Sequence, residues 1–185
     1  GLETPHTYQS NPFTWLAQIR PTSFHWANGE AVTGCPSGNC ATNVVALGNP
    51  ILWWIGIGAL MLVVWGTFYY RNWRAGVILT GYLALYVPWL GYAHRTIFTF
   101  YTVAFAPFVA LAVAWMIGLL AGAVAPDGQP TVLPMPRRTE ITGRVMAVGL
   151  TLAILACALW FLPLWRADVV DYDFWRAHMW LPTWI

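Results

Sequence analysis

The sequence predicts an all-α integral membrane protein: four transmembrane helices flanked by an extracytoplasmic, interfacial N-terminal segment and a Trp-rich tail. Three observations carry this. Only 9% of the 185 residues are charged and 58% are hydrophobic, whereas a soluble domain carries about 25% charged residues. Residues 31–70, 75–93, 96–126 and 145–165 contain no Asp, Glu, Lys or Arg. The 13 Trp, 9 Phe and 8 Tyr exceed what one small water-soluble core buries. The same figures exclude a disordered chain, and nine basic against seven acidic residues, net +2, exclude a nucleic-acid binder.

Residues 1–48 form the first unit. Pro12-Phe13-Thr14-Trp15-Leu16-Ala17-Gln18-Ile19-Arg20-Pro21 interleaves bulky apolar and polar side chains, and Phe24, His25 and Trp26 follow. Because Trp and Tyr favour the headgroup layer, this stretch is expected to lie on the membrane as a short amphipathic helix. Arg20 and His25 are candidates for meeting an anionic lipid head or a substrate, against a plain membrane-resting connector. Cys35 and Cys40 enclose Pro36-Ser37-Gly38-Asn39. This tetrapeptide forms turns and brings two thiols within bridging distance. A disulfide is the expectation; the rival is a zinc site completed by His6 and His25.

The membrane unit runs over 49–165. Asn49 and Pro50 open the first span, because a proline in the first turn lacks only an amide that would be unpaired anyway. The spans are placed at about 50–69, 75–93, 97–121 and 145–165, each long enough to cross a hydrocarbon layer of about 30 Å. Pro88, Pro107 and Pro163 fall inside them and are expected to bend them. Gly118 and Gly122 form a small-xxx-small pair for close helix approach, and Cys157 reads as a small apolar packing residue. Arg71, Arg74, Arg137, Arg138 and Arg144 lie on one side, Arg95, Arg166 and Arg176 on the other. The excess puts the first and third loops in the cytoplasm; the disulfide agrees, since such bonds persist outside it. Both tails are then extracytoplasmic and the protein is multi-pass in the cell membrane.

In the hairpin Tyr92-Ala93-His94-Arg95-Thr96 a lone Arg and a His sit where two helices emerge, with Phe98, Phe100 and Tyr101 behind them. A guanidinium there grips a phosphate with two parallel hydrogen bonds while aromatic rings line an isoprenoid chain; the alternative is an interfacial anchor. The tail, 166–185, carries Asp168, Asp171, Asp173 and His178, a divalent-cation cluster or simply a hydrated face. Its ending, Met179-Trp180-Leu181-Pro182-Thr183-Trp184-Ile185, reads as a belt pinned at the interface. No phosphate loop, nucleophile elbow or HExxH occurs, and the spans hold no paired acids of the kind proton-coupled transport uses.

Leu47-Gly48-Asn49-Pro50-Ile51-Leu52-Trp53-Trp54 resembles the LGNP-x-x-WW signature of protein O-mannosyltransferases. The preceding Arg20-Pro21-x-x-Phe24-x-Trp26 is similar to the family's segment before that signature, and Arg95-x-x-Phe98-x-x-Tyr101 resembles its R-x-x-F-x-x-Y element. The ending on Trp180-Leu181-Pro182-Thr183-Trp184-Ile185 is most like actinobacterial members. The resemblance implies the last four of eleven membrane helices of a larger GT-C glycosyltransferase, and the start on Gly1-Leu2-Glu3 is read the same way, as part of a longer protein. Such enzymes move mannose from polyprenyl-phosphate mannose to Ser or Thr hydroxyls of polypeptides crossing the membrane, with inversion. The general-base carboxylate belongs to a first outer loop that this chain lacks, so no catalytic residue is assigned here. Asp168, Asp171 and Asp173 do not match it, and a need for a divalent metal stays open. Residues 1–48 leave no room for the β-trefoil domain of eukaryotic members.

Arg95 becomes the candidate contact for the carrier phosphate, His94 an auxiliary donor, Tyr101 an aromatic wall for the isoprenoid, and Arg20 a further candidate. The partners implied are membrane lipid, the mannosyl carrier, an acceptor polypeptide and the upstream helices. Two other readings stay open: a non-catalytic membrane scaffold, and a related GT-C enzyme with a lipid or polysaccharide acceptor.

Overall fold

Four long helices and a small sheet meet along a seam of side chain to main-chain hydrogen bonds. The structure, a computed structural model, describes residues 4–35, 38–127 and 137–185. Residues 1–3, Pro36 and Ser37 of the turn between the cysteines, and 128–136 of the third connection lie outside these. Four helices make the long layer: α1 (Pro50–Phe68), α2 (Trp73–Leu90), α3 (Ala106–Leu120) and α4 (Arg137–Trp165). Strands β1 (Thr22–Asn28), β2 (Cys40–Ala46) and β3 (Val170–Asp171) form an antiparallel sheet in that order. A short helix, α5 (Tyr172–Ala177), follows β3.

The sheet corrects the all-α expectation. The interfacial helix is also absent: within 12–21 only Pro12–Thr14 is helical, as one 3-10 turn, and β1 follows at once. Its central residue, Trp15, is completely buried. The tail is folded against the sheet. It pairs with β2 through β3, and Trp175 and Trp184 are buried in a cluster with Leu47, Phe161 and Leu164. Cys35 and Cys40 are joined by a disulfide, Cα–Cα 5.7 Å, at the entry to β2.

The residues 47–54 explain themselves at this seam. Gly48 has no room for a Cβ, which would collide with the Trp53 indole, and its amide donates to Gln18 Oε1 (3.1 Å). Asn49 caps α1 by accepting from Leu52 N (3.0 Å) and reaches across to donate to the Ile154 carbonyl of α4 (2.9 Å). Pro50 fills the first turn, Trp53 is buried, and the Trp54 indole donates to Ala17 O (2.9 Å). Gln18 is the counterpart on the other side. Buried and held at φ +54°, it donates to Trp15 O (2.9 Å) and accepts from Trp184 Nε1 at its own carbonyl (2.7 Å). The left-handed backbone costs roughly 1–2 kcal/mol, so these bonds hold it against a local preference.

The helices depart from their expected limits for identifiable reasons. The span expected over 97–121 is α-helical only from Ala106; Thr99–Ala104 is a 3-10 helix with Thr99 and Thr102 buried, and the Thr99 hydroxyl bonds Ser10 and the Arg20 carbonyl. Pro107 therefore lies in the first turn of α3 and bends nothing, while Pro88 and Pro163 do sit inside α2 and α4. Helix α4 starts eight residues before the expected position 145, and the added stretch contains the Glu140–Arg144 pair (2.6 Å) one turn apart. Gly122 does not pack helices. At φ +70° it ends α3, with Ala123 N donating to Gly118 O (2.9 Å).

Two helices, Pro50–Phe68 and Arg138–Trp165, are long and apolar enough to cross a membrane by length and composition, and Ala106–Leu120 is a shorter apolar helix. Val145, Val148, Leu152, Leu155 and Leu159 run as an exposed stripe down α4, at the three- and four-residue spacing that keeps them on one helix face.

Candidate functional site

The ends of α2 and α4 and the starts of α1 and α3 all meet the layer built from the N-terminal segment, the sheet and the tail. Trp165 Nε1 donates to Leu47 O (2.8 Å) and Tyr86 OH to Pro12 O (3.2 Å). The connection 91–104 is fastened into this layer by a relay of hydroxyls. Trp15 Nε1 donates to Ser10 Oγ (2.8 Å), Ser10 Oγ lies 3.0 Å from Thr99 Oγ1, and Thr99 Oγ1 bonds the Arg20 carbonyl. A carbonyl only accepts, so the Thr99 proton goes to Arg20 and Ser10 donates to Thr99. Ser10 N donates to Ile97 O (2.9 Å) and Thr96 Oγ1 to Thr4 O (2.7 Å), completing the fastening.

On this frame stand the residues the sequence singled out. Arg95 is half-buried, its guanidinium 5.3 Å from the centre of the Tyr92 ring. Among the described residues it has neither an ion pair nor a hydrogen bond from its side chain. Tyr101 stacks on Trp89 at 4.3 Å and 22°, and Trp89 also meets Tyr92 edge-on at 6.5 Å. A continuous aromatic path thus leads from the Arg95 cation to Tyr101. Next to it Phe98 and Phe100 stack at 5.5 Å, and exposed Phe24 of β1 meets Phe100 at 5.5 Å. His94 is exposed at the same turn.

Arg20 is placed differently. Its Nη1 donates to the carbonyls of Thr183 (2.6 Å) and Ile185 (3.2 Å), its Nε and Nη2 to Thr7 O (3.3 and 3.1 Å), and it lies over the Tyr8 ring at 5.4 Å. Its fork is filled by main-chain carbonyls, so it clasps the two tails together. The acids of the tail do not gather either: Asp168 pairs with Arg166 (3.5 Å), and Asp171 caps α5 by accepting from Asp173 N (3.0 Å). His178 is fully buried between the carbonyls of Phe174 (2.6 Å) and Trp160 (2.8 Å), stacked on Trp160 at 4.4 Å. Among the described residues no group of three His, Cys, Asp or Glu is placed to share a metal ion.

Ser10, Gln18, Asn43 and Thr99, which tie the layer together, escaped sequence reading because isolated small polar residues have no periodic signature. The strands had one. Thr42-Asn43-Val44-Val45 after Cys40, and Ser23-Phe24-His25-Trp26, are β-prone runs bounded by turn formers.

A family model described as "C-terminal four TMM region of protein-O-mannosyltransferase" matches residues 1–184. The chain is 30% identical over 179 residues to a polyprenol-phosphate-mannose–protein mannosyltransferase of Mycolicibacterium smegmatis, covering 97% of this chain and 33% of that protein. Proteins of the same name from Mycobacterium tuberculosis and Corynebacterium glutamicum are 27% and 26% identical over 179 residues, covering 97% of this chain and 32% of each. The chain thus spans about a third of the length of these curated relatives. No solved structure matches it. By the family match over nearly its whole length, the chain belongs to the C-terminal four-membrane-helix region of the protein O-mannosyltransferases.

Proposed function

We propose that this chain is the carrier-facing part of a membrane mannosyltransferase, which moves mannose from polyprenyl-phosphate mannose to Ser or Thr hydroxyls of polypeptides at the extracytoplasmic face. The observation that carries the proposal is the contrast between two arginines. Arg20 is saturated by protein carbonyls, whereas the side chain of Arg95 has no hydrogen bond or ion pair among the described residues and stands at the head of an aromatic path. A fixed guanidinium next to a departing phosphate monoester stabilises the charge that develops as the glycosidic bond breaks. Tyr101, Phe98 and Phe100 offer apolar ring surface to the isoprenoid that follows that phosphate, and His94 a further donor. The proton-accepting carboxylate is contributed by a part of the enzyme beyond this chain, and the acceptor polypeptide binds the assembled protein.

All four long helices span the bilayer in this reading. Helix α3 is short: 15 residues at about 1.5 Å each give roughly 22 Å, and the residues that flank it complete the crossing of a hydrocarbon layer of about 30 Å. The Cys35–Cys40 disulfide supports an extracytoplasmic sheet.

The test uses the full-length enzyme in membranes with radiolabelled polyprenyl-phosphate mannose. Arg95→Ala is expected to lower transfer to protein at least tenfold at unchanged membrane abundance, and Arg95→Lys to restore part of it. Near-normal turnover in Arg95→Ala would reduce that residue to an interfacial anchor. Label appearing on lipid or polysaccharide instead of protein would select the related enzyme class, and no transfer by the intact protein would leave a scaffold.

A further inference from the structure

A second concave site lies away from the hairpin, between the sheet and the tail. It encloses about 240 Å³ and is lined by Ser23, Trp26 and Asn28 of β1, Asn43 of β2, Tyr172 and Trp175 of α5, and parts of the two chain ends. Tyr8, Trp184 and Ile185 complete the lining, and none of the nine side chains carries a formal charge, so the site suits a neutral ligand. Two indoles form one wall, Trp26 and Trp175 with ring centres 4.1 Å apart. Trp175 is 4% exposed, and its Nε1 is buried without a hydrogen-bond partner. A buried indole N–H left unpaired costs free energy, and this indole belongs to a residue that lines the cavity. Asn43 is 6% exposed, with its Oδ1 accepting from Ser23 Oγ (2.9 Å). Among the described residues its amide N–H groups have no protein partner.

We infer that this cavity is a binding subsite for a single neutral hexopyranose. A pyranose has one largely C–H face, which lies against the electron-rich face of an indole, and a rim of hydroxyls that pair with amides, hydroxyls and an indole N–H. The cavity measures about 240 Å³. That is room for one covalently joined ring and its substituents, and below the 300–1,000 Å³ common for larger organic ligands. In naming mannose as the hexose the inference rests on the function proposed above. The mannose has two possible sources, the donor's glycosyl group and a mannose already attached to the acceptor polypeptide.

The experiment measures binding of methyl α-mannopyranoside to the full-length enzyme in nanodiscs by saturation-transfer NMR, with glycerol as the control polyol. Saturation transfer is expected to the ring C–H protons of the mannoside at millimolar concentration. Trp26→Ala, a change at the accessible wall of the cavity, is expected to weaken binding at least tenfold, and Trp26→Phe to stay within about threefold of the parent. Kinetics with the same variants assign the source. A KM raised at least fivefold for polyprenyl-phosphate mannose marks the donor sugar, and one raised only for a premannosylated peptide marks the acceptor's. No mannoside signal above glycerol in an enzyme that transfers mannose normally overturns the inference and leaves the proposed function standing. So does a signal unchanged in Trp26→Ala. Failure of transfer to protein, with mannoside binding intact, overturns the function and leaves the subsite.

Discussion

The two layers of the molecule are held by different physics. In one layer, the outer layer built from the N-terminal segment, the sheet and the tail, the chain is tied by directional bonds, mostly from side chains to main-chain carbonyls: the indoles of Trp54, Trp165 and Trp184 each donate to a carbonyl, and Arg20 holds three. In the helical layer few such bonds are made between elements, and contact is by close apolar packing around Val63, Phe105 and Val109. The outer layer therefore closes on itself, whereas α4 keeps an apolar stripe open to its surroundings. For a chain about a third as long as its relatives, the stripe is where lipid or the remaining helices would lie. An irregular segment cannot leave buried peptide groups unpaired, so the outer layer needs its polar ties, and a helix satisfies its own.

This contrast predicts that damage at the seam outweighs damage in either layer. The largest effect is expected from Gly48→Val, because the Trp53 indole occupies the space a side chain needs. Full-length enzyme carrying it should lose most of its folded fraction in fluorescence-detected size exclusion; a parent-like profile would mean that the seam is soft. A smaller loss is expected from Asn49→Ala, which removes the α1 cap and the bond to Ile154 O together. The cap alone is worth about 1 kcal/mol, and the second bond about as much again. Asn49→Ser, which keeps a capping oxygen but cannot reach α4, should recover about half of the lost thermal stability in detergent. Equal melting of the two variants would show that the cross-helix bond carries nothing. The smallest effect belongs to Glu140→Gln on the exposed start of α4, where an i,i+4 pair contributes about 0.3–0.5 kcal/mol. Its melting temperature should match the parent within measurement scatter, and a large drop would mean that this end of α4 is buried against something.

How much could be read in advance follows the same division. The helices were legible because exclusion of charge over 19 residues is a one-dimensional property, and α1 begins where Asn49-Pro50 said it would. The start of α3 was not, since Thr99 looks compatible with a span until its hydroxyl partners, Ser10 and the Arg20 carbonyl, are seen. The β-prone runs of β1 and β2 were there to be read, but β3 is only two residues long and its partners lie about 130 residues away along the chain, so the sheet they build together had no local mark. At the candidate site, Arg95 and Tyr101 were legible as a motif. That Arg20 is saturated was not, because the carbonyls of Thr7, Thr183 and Ile185 carry no mark in the sequence.

The abundance of tryptophan acquires a mechanical meaning from the indole ties. An indole ring tolerates the greasy, half-wet boundary of a bilayer, yet presents one fixed proton that water there competes for poorly. Used as rivets, such rings brace the cap of the protein without help from any particular headgroup. Exchanging one phospholipid for another should therefore disturb the loose flank of α4 long before it loosens the ceiling above it.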